Sequence, residues 1–285
     1  MQILAATDFS TRSARAVRQA GLLAQLNGAQ LNVVHVVDDD QPEELVRVEK
    51  REAEQLLAEQ INSMPELGGV EARQRVVTGD PFDGILKTAT EIGADLIVMG
   101  SHRKKLLLDI FIGTTIERVI RKGRFPVLMV NNEAQRKYEN VVAPVDICDP
   151  SANALRVALS TGLISDKGAT LLHAFQATGR RKMFVTGIEQ PSIDEYVASE
   201  RERATAELAA FLVKNDLAQG RWNLRVEEGA PMEVISRAVS ELDPDLLVMG
   251  THAHSAFLKA LIGSVTEEAL RSLSVDIFVV PPMKR

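Results

Sequence analysis

At 285 residues, with 45% hydrophobic and 25% charged side chains, the chain is long enough for two packed cores, and its composition excludes a disordered or fibrous protein. A formal net charge of -6 excludes a general nucleic-acid or anionic-membrane surface, since either needs a basic face. One cysteine, Cys148, excludes an intrachain disulfide and suits a reducing cytoplasm, and no apolar run approaches the roughly 18 residues of a membrane span.

MQILAATDFS carries no basic segment followed by a long apolar one, so no export signal is expected. The first apolar strand covers 3–6, and Thr7, Asp8 and Ser10 follow with turn and N-cap chemistry. The spacing of Ala14, Val17, Ala20, Gly21 and Ala24 predicts a helix over 13–27 that Gly28 ends. LNVVHVV at 31–37 is a second buried strand, and Asp38, Asp39, Asp40 and Pro42 open a loop after it. Ala53, Leu56, Leu57, Ile61 and Met64 give a long amphipathic helix over 43–63. A third strand at 70–77 closes at Gly79-Asp80-Pro81. Phe82, Ile85, Leu86, Ala89 and Ile92 then form the face of another helix. A strand at 96–99, a helix over 114–122 and a strand at 126–130 bring the count to five strands, and their alternation with helices implies a parallel sheet covered on both faces.

After a polar linker at 131–139 the pattern starts again. VVAPVD at 141–146 answers ILAATD at 3–8, which matches Asp146 to Asp8. GATLLHA at 168–174 places His173 opposite His35, and Gly229-Ala230-Pro231 answers Gly79-Asp80-Pro81. Met232, Ile235, Ala238, Val239 and Leu242 restore the helical face. Matches in the same order at several separated points predict a duplicated domain, divided as 1–137 and 138–285. Residues 178–199 break the parallel: TGRRKMFVTGIEQPSIDEY reads as a long surface connection, or as a lid or contact loop.

The most informative stretch occurs twice, as ADLIVMGSHRKKLLLDIFIGT at 94–114 and PDLLVMGTHAHSAFLKALIGS at 244–264. Each copy is a buried strand ending at a glycine, Gly100 or Gly250, then a loop, then a small pair, Gly113-Thr114 or Gly263-Ser264, from which a helix departs. Strand, glycine turn and helix N-terminus form a place where backbone N–H groups and the helix dipole hold a phosphate.

A strand ending in a small residue and aspartate, a second ending in LLHA or VVHV, and the spaced glycines after the fourth strand resemble the universal stress protein family over nearly the whole chain. The resemblance implies two tandem Rossmann-like domains of the adenine nucleotide alpha hydrolase-like kind, each an α/β fold with a five-stranded parallel sheet flanked by helices. It also implies ATP or a related adenine nucleotide held across Gly100, Gly113 and Thr114 in one half and Gly250, Gly263 and Ser264 in the other. Asp8 and Asp146 would lie near the ribose and adenine, with main-chain atoms around Val36 and Ala174 at the base edge. The final strands would pair with each other inside one chain, as in the dimer of single-domain members, and a homodimer of the whole chain is compatible with this.

Two departures make the copies unequal. The family's second glycine is Arg103 in the first half and Ala253 in the second. Ala253 adds a methyl group, whereas Arg103, beside Lys104 and Lys105, either blocks the pocket or pairs bidentately with a phosphate. The second half is therefore favoured for ATP. His102 and His252 follow the strand glycines and are candidate phosphate contacts, and His252 with His254 lacks the fixed third ligand of a metal site. Asp8 and Asp146 also read as helix caps, His35 and His173 as hydrogen-bonded core residues, and Cys148 as a packing residue. No HIGH-like or SGGxDS string and no nucleophile–base spacing occurs, so the expectation is a non-catalytic nucleotide-binding regulator. A nucleotide-free scaffold and a weak ATP hydrolase are the alternatives.

Overall fold

The computed structural model describes residues 1–101, 114–134, 137–165, 167–251 and 262–282. They form two compact units, one built on Met1–Lys137 and including Ser274–Pro281, the other running from Tyr138 and including Gly263–Leu273.

The first unit runs β1 (Gln2–Ala6), α1 (Thr11–Asn27), β2 (Gln30–Val37), α2 (Glu43–Ser63), β3 (Ala72–Thr78), α3 (Pro81–Ile92), β4 (Leu96–Gly100), α4 (Thr115–Lys122) and β5 (Val127–Val130). Its strands lie in the order β3-β2-β1-β4-β5 and all pair in parallel. Ile3, Leu4, Leu31, Val33, Leu96, Ile97 and Leu128 are fully buried, as strands covered by helices on both faces require. The second unit runs β6 (Val141–Pro144), α5 (Asp149–Ser160), β7 (Ala169–Phe175), α6 (Arg180–Val185), α7 (Gln190–Lys214), β8 (Trp222–Glu228), α8 (Pro231–Leu242), β9 (Leu246–Gly250) and α9 (Ser264–Ser272). Its strands pair in parallel in the order β9-β6-β7-β8. The α/β class and the parallel pairing are those the alternating pattern predicts.

The remaining strand, β10 (Asp276–Val280), lies in the first unit and runs antiparallel to β5, with Phe278 opposite Leu128. Asp276 is buried, and its Oδ1 accepts the backbone N–H groups of Asn131 at 2.8 Å and Asn132 at 3.0 Å. The Asn131 side chain donates to the Val275 carbonyl at 2.7 Å.

Three readings need correction. The third strand begins at Ala72 rather than 70, because the Val70 N–H closes the preceding turn on the Leu67 carbonyl. Leu56, counted with the buried face of α2, points outward at 51% exposure; Ala53 and Leu57, four residues apart, define that face. Residues 178–199 are not a loop. They form α6 and the first turns of α7, because Pro191 suits a helix start and Ile193 is buried, while Tyr196 packs on Phe175, Ala177 and Ala204.

Candidate functional site

In each unit the chain first builds outward one way, β1 to β3 or β6 to β8, and then reverses, at β4 or β9. The reversal leaves a crevice at the C-terminal ends of β1 and β4, and of β6 and β9, which is where open α/β sheets bind ligands.

At the end of β1 the chain turns sharply, with Phe9 at φ 61 and its ring 4.3 Å from that of His35. The Asp8 Oδ1 accepts the Ser10 N–H at 3.0 Å and the Ser13 hydroxyl at 2.6 Å, and the Asp8 N–H donates back to Ser13 Oγ at 3.2 Å. Thr7 adds a contact to Ser13 Oγ at 3.1 Å and donates to Gln60 Oε1 of α2 at 3.2 Å. The His35 Nδ1 meets the Thr7 carbonyl at 2.9 Å. Partial burial pushes the Asp8 carboxyl up, but the hydrogen bonds from Ser10 and Ser13 outweigh it and hold the group below its ordinary range. A lowered folded value contributes stability that is present above the ordinary carboxylate range and is lost as pH falls through the lowered value. Asp8→Asn should therefore lower the urea midpoint at neutral pH, with the gap to wild type closing as pH falls below the ordinary carboxylate range. A gap that stays constant with pH would refute the assignment.

The second unit repeats the backbone part of this frame. The Asp146 N–H donates to Ser151 Oγ at 3.2 Å, and the His173 Nδ1 meets the Val145 carbonyl at 2.8 Å. The cap reading of both aspartates is corrected here. Ser10 caps α1, accepting the Ser13 N–H, and its counterpart Cys148 gives α5 no side-chain cap. Asp8 stands two residues ahead of the cap position and steadies the turn instead. Both histidines are the hydrogen-bonded strand residues expected.

The strand glycines have a packing role. A Cβ on Gly100 would stand 2.7 Å from the Arg12 backbone and 2.8 Å from the Ser13 nitrogen, and one on Gly250 would stand 3.0 Å from the Pro150 carbonyl oxygen. Each glycine lets the first turn of α1 or α5 lie directly against the strand end.

The two helix starts differ more sharply. Thr114 caps α4 by accepting the Glu117 N–H at 3.3 Å, while Glu117 accepts the Thr114 N–H at 3.1 Å, a complete capping box with Glu117 buried. Gly263 caps α9 without a side chain, at φ 89, and a Cβ there would lie 2.6 Å from the Thr251 carbonyl oxygen. Thr266 then donates to the Gly250 carbonyl at 2.9 Å, tying the helix start to the end of β9. The small pair thus does different work in each half: one copy fills its own N-terminus, and the other leaves it without a side-chain cap.

Of the residues singled out in sequence, Asp8 and Gly100 lie at the first crevice, Thr114 caps α4, and Asp146, Gly250, Gly263 and Ser264 lie at the second. Val36 and Ala174 lie within the ladders, opposite Val77 and Glu227, with the Val36 side chain against Gly84 of α3. His102, Arg103, Lys104, Lys105, Gly113, His252, Ala253 and His254 lie outside the described residues. Among the described residues no group of three or more His, Cys, Asp or Glu side chains is placed for a metal ion, and no helix is long and apolar enough to cross a membrane. Thr7, Ser13 and Gln60 were missed, as was Ser151. The signal was present, since a serine follows each aspartate by five residues.

The family model described as "Universal stress protein family" matches residues 1–131 and again 137–281. Universal stress protein E of Escherichia coli K12 is 25% identical over 207 residues, which is 71% of this chain and 65% of that relative, so the match spans just under two thirds of the relative's length. A universal stress protein of Methanocaldococcus jannaschii is 29% identical over 154 residues, 46% of this chain and 95% of its own. The crystal structure of a universal stress protein from Archaeoglobus fulgidus superposes with a TM-score of 0.67 at 20% identity, covering 99% of this chain and 98% of that one, which shows a shared fold. With one match in each half, the chain belongs to the universal stress protein family as a tandem member.

Proposed function

We propose that the protein binds ATP or a related adenine nucleotide, chiefly in its second unit, and acts in the cytoplasm as a non-catalytic stress-response regulator. The observation that carries the reading is Gly263. Its positive φ and its approach to the Thr251 carbonyl form a cradle that any side chain would fill, at a helix start with no side-chain cap. A phosphate is the group such a start accepts. Gly250, Gly263 and Ser264 would then face the phosphates, with Asp146 and the main chain at Ala174 toward the ribose and base. The two halves would pair through their last strands, a reading supported by the β5–β10 register.

A second reading is favoured for the first unit by one observation. The α4 capping box uses the N–H groups of Thr114 and Glu117 that would otherwise meet an anion, so this half serves as a nucleotide-free scaffold. Calorimetric titration of the full chain with ATP should give one site, lost in Gly263→Val and kept in Thr114→Val. Mass spectrometry of the freshly purified, denatured protein should detect adenine nucleotide. Neither nucleotide nor binding heat would overturn the reading, and linear phosphate release abolished by Gly263→Val would replace it with a weak hydrolase.

A further inference from the structure

α6 is a six-residue helix, RRKMFV, with no buried residue. Phe184 is 70% exposed, Val185 76% and the following Ile188 42%. Single exposed apolar side chains are ordinary, but three within five residues on one projecting turn, preceded by Arg180, Arg181 and Lys182, make an amphipathic patch. The root of the turn is fixed. Arg180 pairs with Glu228 at 2.6 Å, and the Gly179 N–H donates to the Tyr196 hydroxyl at 3.2 Å. Phe184 walls a groove of about 440 Å³ whose floor includes Ala177 and the buried Ile193. A held root and an uncovered apolar tip are what a docking element requires.

The complementary chemistry is on the same chain. Asp38, Asp39 and Asp40 lead into α2, and Glu43 and Glu44 open it. Leu45, Val48 and Leu56 are 45%, 47% and 51% exposed, and helical spacing sets them on one outward stripe. This patch is acidic and apolar where α6 is basic and apolar. It also follows β2 as α6 follows β7, so both occupy the same position in the repeat. An anionic lipid surface suits α6 less well, because Glu189, Asp194 and Glu195 flank it and the chain as a whole carries -6.

We propose that the chain associates with a second copy of itself through α6 of one molecule on the start of α2 of the other. Phe184 and Val185 cover Leu45 and Val48, while Arg181 and Lys182 face Asp38–Asp40 and Glu43. Each chain carries both patches, so the contact needs no third component. Opposite charge sets its register and its speed of formation, and salt weakens it.

Sedimentation velocity on the full chain, from about 5 to about 200 µM, tests this. The weight-average mass should rise with concentration at about 50 mM salt, and association should weaken about tenfold or more at about 500 mM. Phe184→Asp should remain monomeric throughout, with an unchanged circular dichroism spectrum because the residue is exposed. Arg181→Glu/Lys182→Glu and Glu43→Lys/Glu44→Lys should each associate more weakly than wild type alone and associate when mixed, since the unaltered α6 of one then meets the unaltered start of α2 of the other. A wild type that stays monomeric, an assembly indifferent to all three variants, or a mixture that fails to associate would overturn the proposal. So would capture by anionic phosphatidylserine vesicles without self-association.

Discussion

Gly100→Ala is expected to cost about 3 kcal/mol, and Gly250→Ala about 1 kcal/mol, although the two positions answer each other in the repeat. The new methyl at residue 100 meets backbone at 2.7 Å on Arg12, and α1 has little freedom to retreat. Its first turn is held by the Ser10 cap and by Arg12 Nε on the Ser101 carbonyl at 3.1 Å. At residue 250 the nearest atom is 3.0 Å away, and α5 begins without a side-chain cap, so a shift of a few tenths of an ångström relieves the contact. Hydrogen exchange localises each loss to its unit, as a single unfolding midpoint does not for a chain with two units. Equal losses would show that helix approach does not set the need for these glycines. The same contacts bear on function. Loss of nucleotide binding in Gly250→Ala would follow from a displaced α5, whereas Gly263 tests the phosphate cradle directly.

Asp276→Ala should be as severe, at about 3 kcal/mol, because it leaves two backbone donors, Asn131 and Asn132, facing a buried gap where charge-assisted bonds had been. Asp276→Asn keeps an acceptor and should cost about 1 kcal/mol. The readout is amide protection in β5. It should fall selectively in the alanine variant as β10 loosens, and the bared apolar edge should then promote aggregation. Undiminished protection at Val127 and Met129, which face β10, would show that the β5–β10 pairing does not depend on this carboxylate.

The repeat, the strand order of events along the chain and the parallel pairing were legible because apolar runs, helical spacing and glycine turns recur at matching positions. Residues 178–199 were misread because Arg180–Lys182 and Pro191 look like loop punctuation, while the packing of Tyr196 and Ile193 that makes a helix there is long-range. The aspartates were recognised, but not their work. Whether Asp8 caps a helix or braces a turn depends on a two-residue offset that propensity does not resolve. Gly100 and Gly250 were noticed as the turn that ends a strand at a phosphate site, yet what they need is space beside another element. The unequal capping of α4 and α9 was hidden because Thr114-x-x-Glu117 and Ser264-x-x-Glu267 are similar strings, and only a one-residue shift of the helix start separates them.

The placement of β10 also bears on how the protein is made. Asp276 lies 145 residues after Asn131, so the first unit cannot add its antiparallel strand when its own parallel strands leave the ribosome. At ordinary rates of translation the edge of β5 waits on the order of 10 s, with its apolar residues uncovered while the second unit is being built. During that interval the nascent first unit is open to chaperones or to the strands of neighbouring chains. Its completion then reports that the rest of the chain has arrived.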